Sequence, residues 1–252
     1  MSQSDKATDF AKLHVKGSPL VLYNAWDAGT AKAVAAAGAK AIATSSWAVA
    51  EAHGYRDGET IPNQLVEAIA GRIAKAVALP VSVDFEGGYS DDDGVLAENV
   101  GRLMDLGVVG INFEDRVVKG QGLYSADRQA RRIAAIRGTA EKRSVAFFIN
   151  ARTDLFLGRG GEHADEVKEA VVRAKAYESA GASGFFVPGL VDPVLIGQVV
   201  DGTSLPVNVM IWDGLPEAAR LAELGVARIS YGAASYSQAI ADLTRRAAAA
   251  LS

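Results

Sequence analysis

Residues 79–88 read LPVSVDFEGG, an apolar run that ends in two carboxylates. Two further apolar runs, GVVGINFED at residues 107–115 and VAFFINARTD at residues 145–154, also end in ionisable groups. The residues at these three ends are Asp84 and Glu86, Glu114 and Asp115, and Arg152 and Asp154. Desolvation makes such groups costly at the ends of buried strands unless a metal ion or a substrate uses them. Since a parallel barrel builds its active site at the ends of its strands, the pattern indicates an enzyme of that architecture.

Short apolar runs of this kind recur along the whole chain and alternate with longer amphipathic segments. The predicted strands are Leu20–Trp26, Ala41–Ser45, Val81–Phe85, Val108–Phe113, Val145–Ala151, Gly184–Val187, Val207–Ile211 and Ala227–Tyr231. Most of these runs are continuous rather than alternating, which is typical of parallel strands that are covered on both faces.

Helix signals fill the intervals between the predicted strands. We predict helices over Glu162–Ala180, where apolar residues recur at helical spacing, and over Ala126–Lys142, with Ser125 as its cap. Asp192 and Pro193 have the character of an N-cap and a first helical residue. Four similar phrases, AAAGAKAI, MDLGVVGI, ESAGASGF and AELGVARI, place glycines where a helix C-cap belongs, at Gly38, Gly107, Gly181 and Gly225.

Eight such units would be about 31 residues long each, the size of one strand and one helix. A doubly wound sheet is the competing architecture, but the segment YNAWDAGTA at residues 23–31 lacks the G-x-G-x-x-G turn of that fold. No linker or break in composition divides the chain. We therefore predict a single (β/α)8 TIM barrel domain over residues 1–252.

Composition excludes several classes of function. The chain is 49% hydrophobic, enough for a sizeable core, and its net charge of −4 argues against nucleic-acid or anionic-membrane partners. The absence of cysteine excludes disulfides, thiolate catalysis and cysteine-ligated zinc. The polar start MSQSDKATDF lacks the apolar segment of a signal peptide, and no apolar run reaches the roughly 18 residues of a membrane helix. These features predict a cytoplasmic protein.

At the carboxyl-terminal mouth of the predicted barrel, polar residues from many strands would converge. The expected set is Tyr23 to Asp27, Thr44 to Trp47, Asp57, Asp84, Glu86, Glu114, Asp115, Arg152, Asp154, Pro188, Gly189, Asn208 and Ser230 to Gly232. Several carboxylates with one arginine and no histidine cluster suit a hard cation such as Mg²⁺, which takes oxygen ligands and keeps several waters. Arg152 would offer a planar fork to a substrate carboxylate.

Plainer interpretations of the same residues remain open. The acidic pairs could be helix caps and loop charges, and Arg152 could be a structural ion-pair partner of Asp84 or Glu114. Three pairs on adjacent strands favour the functional interpretation. His14, His53 and His163 are expected at the surface without a role. The loop RVVKGQGLY at residues 116–124 could be a lid that carries Lys119 or an ordinary solvated connection.

Taken together, the motifs resemble the isocitrate lyase/phosphoenolpyruvate mutase superfamily. VDFEGGY at residues 83–89, INFEDR at 111–116 and INARTD at 149–154 carry the likeness. TSSWAVAEAHGYRDGE at residues 44–59 matches the small-residue loop after the second strand and the downstream G-[YF]-x-D of that family. The resemblance extends from about residue 20 to residue 231.

The resemblance implies a Mg²⁺-dependent barrel, with Mn²⁺ as an alternative ion, that acts at C3 of a 2-oxo acid through an enolate. Asp84 resembles the closest metal-side carboxylate, and Glu86, Asp57 and Glu114 would act through water. Arg152 resembles the substrate and enolate anchor. Tyr23 and Asn208 would contact the substrate, the backbone amides of Ser45, Ser46 and Trp47 would cradle its carboxylate, and Lys119 would belong to the catalytic gate.

Departures from the family pattern narrow the activity. VVKGQGLYS at residues 117–125 stands where isocitrate and 2-methylisocitrate lyases have a K-[KR]-C-G-H loop and where the mutases have P-K-x-N-S. Pro188 and Gly189 replace the acid that those lyases tend to carry after strand six. We therefore expect a C–C lyase or decarboxylase acting on a smaller 2-oxo or 2-hydroxy acid. The alternatives are a P–C bond enzyme and a non-catalytic barrel that binds 2-oxo acids.

The carboxyl-terminal segment of the sequence leads to a prediction about the oligomeric state. Residues Ala233–Leu251 form an alanine-rich helix with an apolar side. The resemblance implies that this last helix is exchanged between subunits, and an exchanged element keeps the same contacts in either arrangement. We expect a homo-oligomer, either a dimer or a tetramer.

Overall fold

A computed structural model describes residues 1–157 and 164–252. It contains a parallel sheet with the order β1-β8-β7-β6-β5-β4-β3-β2, and a parallel bridge between Ala25 and Thr44 joins its two ends into a barrel. The strands are β1 Leu20–Leu22, β2 Ile42–Ala43, β3 Val81–Asp84, β4 Gly110–Glu114, β5 Phe148–Arg152, β6 Gly184–Phe186, β7 Val207–Met210 and β8 Arg228–Ser230. The predicted (β/α)8 architecture is confirmed.

Helices alternate with the strands around the barrel. They are α1 Gln3–Lys12, α2 Ala28–Ala36, α3 Ser46–Ala52, α4 Asn63–Ala76, α5 Asp93–Asp105, α6 Ala126–Lys142, α7 Ala164–Ser179, α8 Pro193–Gly202, α9 Ala218–Glu223 and α10 Ala234–Leu251. Helices α1 and α3 were not predicted from the sequence. Helix α1 precedes the barrel, and α3 lies in the connection between β2 and β3.

Several cap residues predicted from the sequence lie at the observed ends of the helices. Helix α6 has the predicted limits, and Ser125 accepts a hydrogen bond from the N–H of Arg128. Asp192 caps α8 by accepting from the N–H groups of Val194 and Leu195. The predicted C-cap glycines have φ angles between 82° and 95°, a region that favours glycine. The predicted start of α7 at Glu162 lies outside the described residues.

Strand ends differ from the predictions by a few residues. Strand β1 ends at Leu22 rather than Trp26, because beyond it only the isolated bridge at Ala25 continues the pairing among the described residues, and Asp27 then caps helix α2. Strands β4 and β5 each extend one residue further than predicted, so that Glu114 and Arg152 are register partners. The sheet therefore places these two side chains at the same level of the barrel.

The amino-terminal end of the barrel is closed by α1 and the residues that follow it. His14 is buried, its ring stacks on Phe148 at 4.1 Å, and its Nδ1–H donates to the carbonyl of Phe10 at 2.8 Å. The expectation of a surface histidine is wrong here, because Phe10 and His14 lie on the same face and pack together against the barrel. His53 is exposed as expected, and His163 lies outside the described residues.

Helix α10 is largely uncovered. Among its residues Ser235 is buried, whereas Ile240, Leu243 and Leu251 are exposed by 40%, 61% and 88%. A groove of about 890 Å³ runs along α1, β1 and α2, and the half-exposed Val21 lies in it. Within the described part of the chain, no helix is both long and apolar enough to cross a membrane.

Candidate active site

A cavity of about 520 Å³ opens at the carboxyl ends of the strands. It is lined by several of the residues that the sequence singled out, namely Ser45, Ser46, Trp47, Asp57, Asp84 and Arg152. Because these residues come from three strand ends and one loop, the barrel closure is what brings them together. The predicted convergence of polar groups therefore occurs in the folded chain.

Asp84 is held at the floor of this cavity by the segment that follows β2. Its Oδ2 accepts hydrogen bonds from the backbone N–H of Ser46 at 2.9 Å and from the Ser46 hydroxyl at 2.8 Å. Its own N–H donates to the hydroxyl of Thr44 at 2.9 Å. Its second oxygen, Oδ1, is buried and has no hydrogen-bond partner among the described residues. One carboxylate oxygen is thus fixed, and the other is left for a ligand.

The environment of Asp84 Oδ1 fits a hard cation. A buried carboxylate oxygen without a donor is unfavourable unless something positive meets it. No cluster of three or more His, Cys, Asp or Glu side chains within the described ranges is arranged to hold a metal directly. Mg²⁺ does not need such a cluster, because it commonly binds one or two carboxylates and keeps its other ligands as water. Asp84 is therefore the residue that could hold the ion directly.

Glu86 anchors the loop that carries Asp57. Its Oε2 accepts from the backbone N–H groups of Gly58 at 2.9 Å and Glu59 at 2.8 Å. Burial, followed by the charges of Asp57 and Asp84, raises the pKa of Glu86 to about 8. Its φ angle of 48° lies in the left-handed region, and the two amide contacts help to hold this strained backbone in place. Glu86 thus acts on the cavity through the position of the loop.

Asp57 lies at the rim of the cavity and keeps contact with solvent. Partial desolvation by the surrounding protein, followed by the charge of Asp84, raises the pKa of Asp57, while Arg152 opposes the shift. An aspartate with a raised pKa at the entrance of a cavity can hold a proton closer to neutral pH than an ordinary aspartate.

Arg152 is held between two carboxylates. Its Nη1 lies 3.0 Å from Glu114 Oε2, and its Nε and Nη2 bond to Asp154 at 2.6 and 3.0 Å. Burial alone would lower the pKa of Arg152, but the charges of Glu114 and Asp154 outweigh it and raise the pKa, so the guanidinium stays charged. These contacts use one hydrogen on each nitrogen. Each terminal nitrogen keeps a second hydrogen that can be offered to a ligand.

Asp115 does not belong to the mouth of the barrel, contrary to the prediction. It is fully buried, and its side chain accepts from Tyr177, from Arg173 and from the backbone N–H of Asp154. Adjacent residues at a strand end point to opposite faces, so Glu114 points toward Arg152 inside the barrel and Asp115 faces the helices. The same alternation separates the two residues only once the limits of the strand are known to the residue.

Three other predicted site residues lie away from the central cavity. Lys119 lines a neighbouring cleft of about 260 Å³ that also contains Glu59. Tyr23 lies in the outer groove beside β1, and its hydroxyl donates to Gln238 at 3.4 Å. Asn208 is buried below the floor, where its amide nitrogen donates to the Ser230 hydroxyl at 3.2 Å. None of these three lines the cavity in this conformation.

Two of the three backbone amides that were predicted to cradle a substrate carboxylate already donate to acceptors within the protein. The N–H of Ser45 donates to the carbonyl of Ala25 at 3.3 Å, and the N–H of Ser46 donates to Asp84. Of the three amides proposed from the sequence, that of Trp47 is the one that has no hydrogen-bond acceptor among the described residues. The Trp47 ring packs against Tyr236 of α10 with ring centroids 5.8 Å apart.

Sequence reasoning missed a set of polar side chains inside the barrel. They are Asn112 on β4, Asn150 on β5 and Arg228 on β8, all buried. Asn112 lines the floor of the cavity. A signal was present, since asparagine and arginine interrupt otherwise apolar runs, and buried polar groups in strands require partners.

Comparison with known proteins supports the same assignment of fold. A family model described as phosphoenolpyruvate phosphomutase matches residues 10–251. A solved structure from Burkholderia cenocepacia J2315, provisionally described as a phosphonomutase, is 44% identical to this chain. It has a TM-score of 0.94 and covers 97% of this chain and 98% of its own.

Curated relatives extend the comparison to a named activity. An uncharacterized protein of Mycobacterium tuberculosis is 38% identical over 228 residues, which cover 90% of this chain and 83% of the relative. An oxaloacetate decarboxylase of Pseudomonas savastanoi pv. phaseolicola is 32% identical over 178 residues, covering 68% of this chain and 58% of the relative.

Proposed function

Because this chain belongs to the phosphoenolpyruvate phosphomutase family and is an enzyme of the isocitrate lyase/phosphoenolpyruvate mutase superfamily, we propose that it is a Mg²⁺-dependent C–C lyase. Its substrate would be a small 2-oxo or 2-hydroxy carboxylic acid, cleaved or decarboxylated through an enolpyruvate-type intermediate. One observation carries the proposal. One oxygen of Asp84 is buried without a hydrogen-bond partner among the described residues, in the same cavity that Arg152 lines.

The two ends of the proposed site have different tasks. Bound next to Asp84, Mg²⁺ would supply positive charge to a developing enolate oxygen. Arg152 would bind and orient the substrate carboxylate through the hydrogens that Glu114 and Asp154 leave free. Glu114 would keep the guanidinium charged and correctly aimed. A small dianionic acid could therefore bridge the metal end and the arginine end.

A proton must reach the carbon from which the leaving group departs. The lyase loop that supplies a cysteine acid is absent from this sequence. Asp57 is our candidate for the proton donor, since it lies at the rim and its pKa is raised. Lys119 remains a second candidate that would require movement of residues 116–124 toward the cavity.

The named relatives support two versions of the reaction. The similarity to an oxaloacetate decarboxylase favours C–C cleavage. The Burkholderia structure, described as a phosphonomutase, keeps P–C chemistry as the second candidate. The absence of the P-K-x-N-S segment argues against the second version, because that segment belongs to the gate of the mutases.

One assay tests both versions. The protein would be incubated with oxaloacetate or phosphonopyruvate, with Mg²⁺ or with EDTA, and both pyruvate and phosphoenolpyruvate would be measured. Mg²⁺ without protein and the variant Asp84→Asn with Mg²⁺ serve as controls for the background reaction. We expect metal-dependent release of pyruvate from oxaloacetate above both controls. Conversion of phosphonopyruvate alone, to pyruvate and phosphate or to phosphoenolpyruvate, would replace the C–C proposal. No product from either acid would contradict an activity on these acids.

A further inference from the structure

Arg228 lies inside the barrel, directly beneath the floor of the proposed site. The residue is on β8 and is 1% exposed. Its Nε donates to the Ser230 hydroxyl at 3.1 Å, and its Nη2 donates to Asn112 Oδ1 at 3.1 Å. Both acceptors line the 520 Å³ cavity. Its Nη1 is buried and has no hydrogen-bond partner among the described residues.

The charge of Arg228 is not matched by a carboxylate. Arg152 has Glu114 and Asp154 as ion-pair partners, whereas no described carboxylate lies within ion-pair distance of Arg228. Burial lowers the pKa of Arg228 to about 9, and the more distant charge of Asp84 opposes the shift. A buried cation without a partner destabilises a fold, so its presence calls for a role beyond stability.

The contact with Asn112 gives Arg228 a direct influence on the cavity. Asn112 Oδ1 accepts from Arg228 and also from the amide nitrogen of Asn150 at 2.8 Å. Two donors therefore fix the Asn112 amide with its oxygen turned away from the cavity. Its amide nitrogen, at the other end of the group, is left to donate to a ligand above the floor.

We propose that Arg228 is a positioning residue for a dianionic ligand, which it stabilises by its unmatched charge and by the orientation that it imposes on Asn112. The proposal deepens the function proposed above and rests on it. A 2-oxo acid or its enolate would be the missing counter-charge. The negative oxygens of the ligand would lie above Asn112 and Ser230. These two side chains, which accept hydrogen bonds from the guanidinium, would link Arg228 to the ligand.

Two probes distinguish this role from a purely structural one. Oxalate, an enolpyruvate mimic, carries two negative charges, and oxamate is a nearly isosteric analogue with one. Binding of each would be measured by calorimetry in the presence of Mg²⁺ for the wild type, Arg228→Met and Arg228→Lys. The thermal midpoint of each protein would be recorded without ligand.

The expected pattern separates binding from stability. Arg228→Met should weaken oxalate by about tenfold or more, from the loss of a nearby charge in a poorly screened site, and should weaken oxamate less. Its thermal midpoint should stay the same or rise, because a costly buried charge has been removed. Arg228→Lys should keep most of the affinity for oxalate.

A matched control is available on α6. Arg137 also has no ion-pair partner among the described carboxylates, and its guanidinium donates to the carbonyl of Gly181 and the hydroxyl of Ser183, away from the cavity. Arg137→Met should leave the binding of both probes unchanged. Asn112→Asp provides a second route to the proposal, since it keeps the acceptor for Arg228 but replaces the ligand-facing donor. This variant should also weaken oxalate by about tenfold or more.

Different results would contradict the role of Arg228 and the proposed function. If Arg228→Met bound oxalate within about twofold of the wild type, or weakened both probes equally while its thermal midpoint fell, Arg228 would be structural and this inference would be wrong. Retained binding in Asn112→Asp would likewise overturn it. If the wild type did not bind oxalate with Mg²⁺, the proposed function itself would fail, and the inference with it.

Discussion

Ser46 holds one oxygen of Asp84 with two hydrogen bonds, from its backbone N–H and from its hydroxyl, both to Oδ2. Ser46 is the first residue of α3, so a helix amino terminus stabilises the negative charge of Asp84. The arrangement directs Oδ1 away from these donors. This relationship explains how the carboxylate is held in place and still has an oxygen to give to a cation.

The first prediction concerns Asp84→Asn. The asparagine oxygen can still accept from Ser46, so the fold and thermal midpoint should be nearly unchanged. A neutral amide is a poor ligand for Mg²⁺, and the metal-dependent part of oxalate binding should therefore disappear. Calorimetry with and without Mg²⁺ provides the measurement. An unaltered metal requirement in the variant would show that the ion, if it binds, is held elsewhere.

The second prediction concerns Arg152→Lys. Lysine keeps a positive charge near Glu114 and Asp154 but loses the planar fork that satisfies both carboxylates and a ligand. Oxalate binding should weaken by about 2–5 kcal/mol, the usual loss when a charge-assisted partner is removed from a desolvated site. Isothermal titration at constant Mg²⁺ would measure this change. A near-normal affinity would mean that Arg152 serves only the two carboxylates.

Much of the site was predictable because a parallel barrel turns strand ends into neighbours. The carboxylate runs placed Asp84, Glu114 and Arg152 at one mouth without any knowledge of loop structure. Asp115 was misassigned because the prediction treated adjacent residues as equivalent, although a strand sends them to opposite faces. The distinction depends on register, which the sequence indicates only once the strand limits are known to the residue.

Other parts of the site depended on tertiary contacts that a linear pattern does not contain. Arg228 lies inside the predicted strand Ala227–Tyr231, and nothing local shows that its partner is Asn112, 116 positions away. His14 follows a polar segment, and its burial arises from stacking on Phe148 of β5. For both residues, the contacts come from strands that are distant in the sequence.

The third prediction concerns Lys119, which lies in the side cleft next to Glu59 rather than in the central cavity. We propose that residues 116–124 close over the cavity during turnover and bring Lys119 inward. Lys119→Ala should then lower the rate of pyruvate release far more than it changes Mg²⁺ affinity. Steady-state kinetics and a metal titration together test this. Equal rates in variant and wild type would identify the segment as a solvated connection.

The fourth prediction concerns assembly. We propose that α10 of one subunit occupies the groove along α1, β1 and α2 of another, which would cover Leu243 and Val21. Light scattering at micromolar concentration should give the mass of a dimer or tetramer. Leu243→Glu and Val21→Glu should shift the mass toward the monomer, whereas Val95→Glu, at an exposed apolar residue of α5, should not. A monomeric wild-type protein would contradict the proposed contact between α10 and the groove of another subunit.

The last prediction uses the buried histidine at the closed end of the barrel. Burial, followed by the charge of Arg228, lowers the pKa of His14 to about 3, against 6.5 for a free histidine. The unfolded chain therefore binds a proton more readily than the native protein between these two values. The contribution of His14 to stability is complete above pH 6.5 and is lost as the pH falls toward 3. The slope is about 1.4 kcal/mol per pH unit, or about 2 kcal/mol between pH 7.5 and 5.

The variant His14→Phe isolates this contribution because it keeps an aromatic ring against Phe148 and cannot be protonated. Glu86, whose raised pKa acts in the opposite direction, is present in both proteins and cancels from the comparison. Urea unfolding at pH 7.5 and pH 5 would be measured for the wild type and the variant. The wild type should lose about 2 kcal/mol more than the variant on acidification. If the two proteins showed the same change, His14 would have to be protonated in the native state at pH 5, and the lowered pKa of its buried ring would be wrong.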